Sequence, residues 1–374
     1  MNKKVLLTAT VQSHICQFHK PLVQVLHNKG YEVHVAARDN LAEKNGLKLD
    51  FADKVYDVPF ARSPKSLDNL RAYRQLKKII DSGDYDVIHC NTPMGGIVTR
   101  LASIGARRKG TKVYYTAHGF HFYKGAPKKN WLFFYPIELL FSWMTDKIIT
   151  ITDEDYKLAR KRFFCRAYRI HGVGVDEQRY TSVSDEEKKQ LKTEMGFKPD
   201  QKIILCVGEL LPNKNQYMAI HMMKEIVKVY PDAQLLIAGN GSEKENLESE
   251  IRRCGLQNNV QMLGYVTNLQ DYQHITDVSV SCSKREGLPL NIVEAMLSKT
   301  PVVASYNRGH RELIRDGETG YIVKVDDVKA MAEKVLVLLG DEIVTERICA
   351  RAKNNALNYG FANVKRELSL IYKK

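Results

Sequence analysis

Short apolar runs recur along the chain at intervals too wide for hairpins, with helical patterns between them. Runs at 5–7, 32–37, 86–90, 112–116 and 147–151 read as strands, and a helix fits around 21–29. Near-continuous apolar runs separated by helices mark parallel strands, because both faces of such a strand are buried. The stretch 180–185 is polar and turn-like, and the pattern then restarts. New runs lie at 203–208, 234–239, 278–281 and 301–304, with one helix from about Asn215 and another from near Leu290. The expected fold is α/β, with two Rossmann-like, doubly wound parallel-sheet domains: 1–180 at the N-terminus and 181–345 at the C-terminus. A helical tail at 346–374 is expected to pack back on the first domain. A chain of 374 residues also exceeds what one core organises. Sheets of this kind bind ligands outside the carboxyl ends of their strands, so the loops after strands carry the chemistry.

Composition leaves this picture in place. Hydrophobic residues make up 44% and charged residues 27%, as in an ordinary globular protein. The first residues read as a charged cap, Met1 to Lys4, on a buried strand, with an apolar run too short for a signal peptide. Seven cysteines are scattered singly with no CxxC pair, which points away from a disulfide framework or a zinc site and toward the cytoplasm.

Charge changes the picture more. Residues 1–180 hold 30 lysines and arginines against 17 acidic residues, so nearly all of the net +14 lies in the first half. A basic face attracts nucleic acid, anionic lipid or a phosphorylated substrate. No nucleic-acid recognition motif accompanies it, which argues against nucleic acid. Residues 131–144 are the most aromatic stretch, too short to span a bilayer, with Lys124, Lys128 and Lys129 upstream. The segment suits an interfacial helix at anionic lipid and equally a buried helix beside a cleft.

The candidate chemistry is concentrated after strands. Glu286 lies in a loop and Glu294 on the first turns of the helix that follows, with Gly287, Leu288, Pro289, Leu290 and Asn291 between them. Free N–H groups and the dipole at a helix start favour an anion. Two hydroxyl acceptors flanking a phosphate site suit a nucleotide-sugar. Gly208, Glu209, Asn213 and Lys214 form a second post-strand loop, and His118 and His121 a third. Thr10 and His14 are read as the loop after the first strand. Asp153-Glu154-Asp155 resembles a metal-binding DxD, but it opens a helix, where capping and dipole effects explain it. The glycines at 239–241 lack the full dinucleotide fingerprint.

Glu286 and Glu294, the segment 307–320, the segment 115–125 and the segment 172–176 together resemble GT-B-fold retaining glycosyltransferases of family 4, in the branch that builds bacterial capsule and exopolysaccharide units. The resemblance implies two domains facing a cleft. It also implies that Glu294 accepts from ribose hydroxyls, that Glu286 accepts from hydroxyls of the donor sugar, and that backbone amides at 288–291 meet the diphosphate. Lys214 would neutralise that diphosphate as the leaving group departs. His118 would contact the sugar near the reacting carbon, with His121 as its rival, and Thr10 and His14 would close on donor and acceptor. The implied catalytic set is His118, Glu286 and Lys214. Most of the family has arginine where this chain has Glu209; Asn213, Arg308 or Arg285 compensates, or Lys214 and backbone amides suffice.

The expected activity is hexosyl or N-acetylhexosaminyl transfer from a UDP-sugar to a lipid-diphosphate-linked oligosaccharide. No cofactor and no metal are expected. The expected location is the cytoplasm, at the periphery of the anionic inner leaflet. A UDP-sugar 2-epimerase of the same fold and a catalytically silent UDP-binding scaffold are the alternatives.

Overall fold

The computed structural model describes residues 3–43 and 46–373, so Met1 and Asn2 of the expected cap and Lys374 of the tail lie outside the described residues. The chain forms two compact units, Met1–Gly174 with Phe361–Lys374, and Val175–Gly360. The first holds seven parallel strands: β1 (Lys3–Val11), β2 (Tyr31–Arg38), β3 (Lys54–Asp57), β4 (Val87–Asn91), β5 (Lys112–Ala117), β6 (Lys147–Thr150) and β7 (Arg166–Arg169). Their order is β3-β2-β1-β4-β5-β6-β7, so the winding reverses between β1 and β4. The second holds β8 (Ile203–Val207), β9 (Gln234–Ala238), β10 (Val260–Gly264), β11 (Val278–Ser281), β12 (Val302–Ser305) and β13 (Tyr321–Val323), in the parallel order β10-β9-β8-β11-β12-β13. Its reversal lies between β8 and β11. These are the doubly wound sheets that the apolar runs predict.

Each sheet is buried between helices. In the first unit Leu6, Ile88, Leu76 and Ile80 share a core under the Asp68–Gly83 helix. In the second, Ile204, Ile237 and Val280 pack on Met218, Met222 and Val335 from the Gln216–Val229 and Val328–Gly340 helices. Arg100 lies fully inside the first unit. Its guanidinium donates twice to Glu138 at 3.1 Å and stacks over the rings of Tyr115 and Phe141. A buried charge survives there only because its counter-ion is buried with it.

The unit boundaries differ from the expected 180 and 345. Val175 and Tyr180 are buried against Ile292, Val293 and Ala356, so the polar stretch near 180 is anchored in the second unit by its one large aromatic. The tail splits in two. The Glu342–Ala356 helix stays with the second unit through Ala352 and Ala356. Only the Phe361–Ile371 helix packs on the first, where Glu367 accepts from the His171 backbone N–H at 2.8 Å and Tyr372 reaches His89. Gly174 marks the crossing, at φ +91° and so close to the Phe361 ring that a Cβ would sit 2.7 Å away.

The aromatic segment forms the Lys128–Ser142 helix. Trp131 and Tyr135 pack on Phe122, whereas Leu132, Phe133, Leu140 and the following Trp143 are exposed. Among the described residues, no helix is long and apolar enough to cross a membrane.

Candidate functional site

In the second unit the reversal point brings two loops together. Residues 208–215 follow β8 and residues 282–289 follow β11. Asn213 clamps them: its carbonyl accepts from the Lys284 N–H at 2.8 Å, and its side chain donates to the Arg285 carbonyl at 2.9 Å. Asn215, in the left-handed region at φ +57°, donates to Asp326 at 2.9 Å and turns the first loop into its helix. The clamp sets Lys214 Nζ 2.6 Å from Glu286 Oε1. Gly309 fixes the other side of Glu286, because a Cβ there would lie 2.7 Å from both Glu286 Cβ and the Gly287 carbonyl.

The 286–294 segment follows the expected course. Pro289 precedes the Leu290–Leu297 helix, and Asn291 donates to the Val207 carbonyl at 3.1 Å, tying the helix start to the end of β8. Pro289 has no N–H, so the donors available to an anion come from Leu288, Leu290 and Asn291, the latter two in the first turn, where no intrahelical acceptor exists. Gly208 ends β8, and the Glu209 side chain is exposed while its carbonyl accepts from Gln216 at 3.1 Å.

Glu294 is set deeper. Burial pushes its carboxyl up to about 7, against a hydrogen bond from the Tyr180 hydroxyl and the charge of Arg179, which both pull it down. Arg179 is held by Gln270 at 2.7 Å and the Thr267 carbonyl at 2.7 Å. Sequence reading missed Arg179 and Tyr180, since nothing in their local sequence marks them as neighbours of Glu294. It also missed His310, whose Nε2 lies 2.9 Å from Ser281 Oγ and whose Nδ1 donates to the Ser305 carbonyl. Burial pushes His310 down to about 4, so it is neutral and braces β11 against the Arg308–Leu313 helix.

In the first unit, Thr10 and His14 do not lie on a loop. β1 is buried without a break from Val5 to Val11, so Thr10 is a buried strand residue, and His14 sits on the Gln12–Phe18 helix that follows directly. Thr10 Oγ1 lies 2.7 Å from Thr92 Oγ1, and Thr92 is itself at φ +63° just after β4. A β-branched residue in that conformation is strained, and the Thr10 contact holds it there. His14 Nε2 lies 3.2 Å from His118 Nε2. His118, after β5, is also 3.5 Å from Asn91 Oδ1, and burial pushes it down to about 4. His121 is directed elsewhere: it is exposed and stacked on Phe134 at 4.7 Å. In the Asp153–Arg162 helix, Thr152 Oγ1 accepts from the Asp155 N–H, the arrangement of a helix cap.

Two known families match this chain: glycosyl transferases group 1 over residues 187–358, and glycosyl transferase 4-like over residues 4–152. Among solved structures, Anabaena Alr3699/HepE in complex with UDP superposes with a TM-score of 0.79 at 20% identity, covering 99% of both chains. WaaG, a glycosyltransferase involved in lipopolysaccharide biosynthesis, gives 0.75 at 14% identity over 98% of this chain and 99% of its own. The fold is therefore GT-B. The glycosyltransferase-family protein EpsD of Bacillus subtilis (strain 168) is 40% identical over all of this chain and 97% of its own length. The UDP-Gal:α-D-GlcNAc-diphosphoundecaprenol α-1,3-galactosyltransferase of Escherichia coli is 25% identical over 92% of this chain and 88% of its own. The chain belongs to the family-4-type group 1 glycosyltransferases and is EpsD-like.

Proposed function

We propose that the protein moves a hexosyl or N-acetylhexosaminyl group from a UDP-sugar to a lipid-diphosphate-linked oligosaccharide, with retention at the anomeric carbon. The observation that carries this reading is the Lys214–Glu286 pair at the β8/β11 reversal, with Glu294 on the adjoining helix. A cation, a set of helix-start amides and two carboxylates are the groups a nucleotide diphosphate and its two sugars require. The named activity of the Escherichia coli relative and the UDP in the Anabaena complex support the choice of donor and acceptor class.

In the transfer, the bond from the anomeric carbon to the UDP oxygen breaks and a bond to the acceptor oxygen forms on the same face. The acceptor's proton passes to the departing phosphate. Negative charge grows on UDP, and Lys214 with the amides of residues 288, 290 and 291 stabilises it. Glu286, released from Lys214 as phosphate arrives, holds hydroxyls of the sugar, Glu294 holds the ribose, and His118 contacts the sugar near the reacting carbon. Thr10 and His14 shape the acceptor side. No metal takes part in this scheme.

The exposed face of the Lys128–Ser142 helix, with Leu132, Phe133, Leu140 and Trp143 beside Lys124, Lys128 and Lys129, supports docking on an anionic leaflet. A panel of UDP-, GDP- and ADP-sugars tests the donor. A UDP-sugar alone should raise the melting temperature and, with a lipid-diphosphate glycan, yield an α-linked product from an α-linked donor. Selective stabilisation by GDP- or ADP-sugars would overturn the donor assignment, and a β-linked product the retaining mechanism.

A further inference from the structure

Three histidines of the first unit converge on one point. His14 projects from the Gln12–Phe18 helix, His19 is the junction residue before the Lys20–Asn28 helix, and His118 follows β5. The ring of His14 lies 4.6 Å from that of His118 and 5.3 Å from that of His19, with His19 and His118 5.4 Å apart. One ring nitrogen from each lies within 4.8 Å of the other two. His19 is 3% exposed, and its Nε2 is buried with no hydrogen-bond partner among the described residues.

Hydrogen bonding explains only part of this. One neutral imidazole N–H can donate to its neighbour's lone pair across the 3.2 Å between His14 and His118. That leaves His19 Nε2 orphaned, at a cost of about 1–3 kcal/mol by the usual penalty for a buried polar group. A metal ion satisfies all three nitrogens together. With metal–nitrogen bonds of about 2.0–2.1 Å, tetrahedral geometry sets ligand nitrogens roughly 3.3 Å apart. The His14–His118 separation already has that value. His19 closes the set with a shift of at most roughly 1.5 Å, within reach of side-chain rotation. An all-imidazole set selects zinc-class ions over magnesium or calcium, which require oxygen ligands.

We propose that His14, His19 and His118 form a binding site for one zinc-class divalent cation, with a fourth position open to water or a ligand oxygen. The neutral imidazole is the form that coordinates. The nearby charge of Arg62 opposes the cation. Occupancy ties up His118 and so inhibits transfer; that consequence rests on the role given to His118 above, whereas binding does not. A second group, His221 with Glu250 and Cys254, serves as a control. Glu250 there is already paired with His221 and with Arg253 at 2.7 Å, and Cys254 Sγ also donates to it at 3.5 Å.

The test is a Co²⁺ titration of the full-length, chelator-stripped protein, read by visible absorption, with zinc stoichiometry from native mass spectrometry. The expected result is one ion per chain and intense tetrahedral Co²⁺ bands without thiolate charge transfer. His19→Gln and His14→Gln should each weaken binding by about tenfold or more, as ligand loss does at least as much damage as loss of an outer-shell partner. His221→Gln should leave binding unchanged. Near-ultraviolet circular dichroism checks that each variant is folded. Absence of Co²⁺ binding by the wild type, binding that survives the His14→Gln/His19→Gln double variant, or a thiolate band would each overturn the site. Zinc bound at this site without slowing transfer would instead overturn the role of His118 and leave the site standing.

Discussion

Affinity for a UDP-sugar should rise about tenfold between pH 6 and pH 8, and Glu294→Gln should abolish the rise. Glu294 lies near 7 instead of its ordinary 4.5 because it is desolvated, with Tyr180 and Arg179 facing it. Ribose hydroxyls donating to the carboxylate favour its charged form. Binding therefore draws the group back toward its ordinary value, and the free protein at pH 6, nine-tenths protonated on this reasoning, binds about ten times more weakly than at pH 8. A UDP-sugar is the right probe, since its diphosphate carries no group that titrates in this window. Calorimetry in buffers of different ionisation enthalpy should show release of about half a proton per ligand at pH 7.

The same carboxyl makes a stability prediction of opposite slope. Its folded-state value lies above its unfolded one, so the native state keeps a proton that the unfolded chain loses. Stability should fall as pH rises from 4.5 to 7, by about 3 kcal/mol, and the glutamine variant should lack that fall. Flat binding across pH 6–8 with unchanged affinity in Glu294→Gln would refute the ribose assignment.

Lys214→Ala should lower kcat by roughly 10²-fold, in the range for loss of one preorganised charge-stabilising group, with a smaller effect on KM; steady-state kinetics checks it. Gly309→Ala forces a Cβ against Glu286 and Gly287, 2.7 Å from each, and should depress kcat/KM more than it lowers the melting temperature. Glu138→Ala strands the buried Arg100 guanidinium and should cost roughly 3–5 kcal/mol in urea unfolding, while Glu138→Gln costs less. Replacing Leu132, Phe133 and Leu140 by serine should reduce cosedimentation with anionic vesicles without changing turnover on a soluble acceptor analogue, since all three are exposed.

What the sequence reveals follows burial. The nine runs read as strands are the interior strands of the two sheets, covered on both faces and hence largely apolar. The four strands it misses, β3, β7, β10 and β13, are the four sheet edges. Edge strands lose one hydrogen-bonding neighbour and much of their cover, and Lys54–Asp57 and Arg166–Arg169 carry the charges that keep such edges from pairing with other chains. Polarity hides β3 and β7 from a hydrophobic pattern, and β13 has only three residues to show one. The residues of 131–144 suit a buried and an interfacial helix alike. In the structure Trp131 and Tyr135 pack together while Phe133 and Leu140 are exposed.

The site divides in the same way. Lys214 and Glu286 are 72 positions apart, yet both were legible because each follows an apolar strand, and a doubly wound sheet brings together the loops that flank its reversal. Arg179 and Tyr180 reach Glu294 by a different route. The chain enters the second unit at Val175, and burial of Tyr180 fastens that entry beside the Leu290–Leu297 helix. No periodicity records such a contact. His19 is the clearest case, because its sequence context reads as an ordinary helix start. Only the junction of two helices after β1, set against the loop after β5, turns it toward His14 and His118. The reversal of the second sheet thus made the Lys214–Glu286 pair readable from the chain. The rest depends on packing between segments that no periodicity links, at the entry into the second unit and at the helix junction after β1.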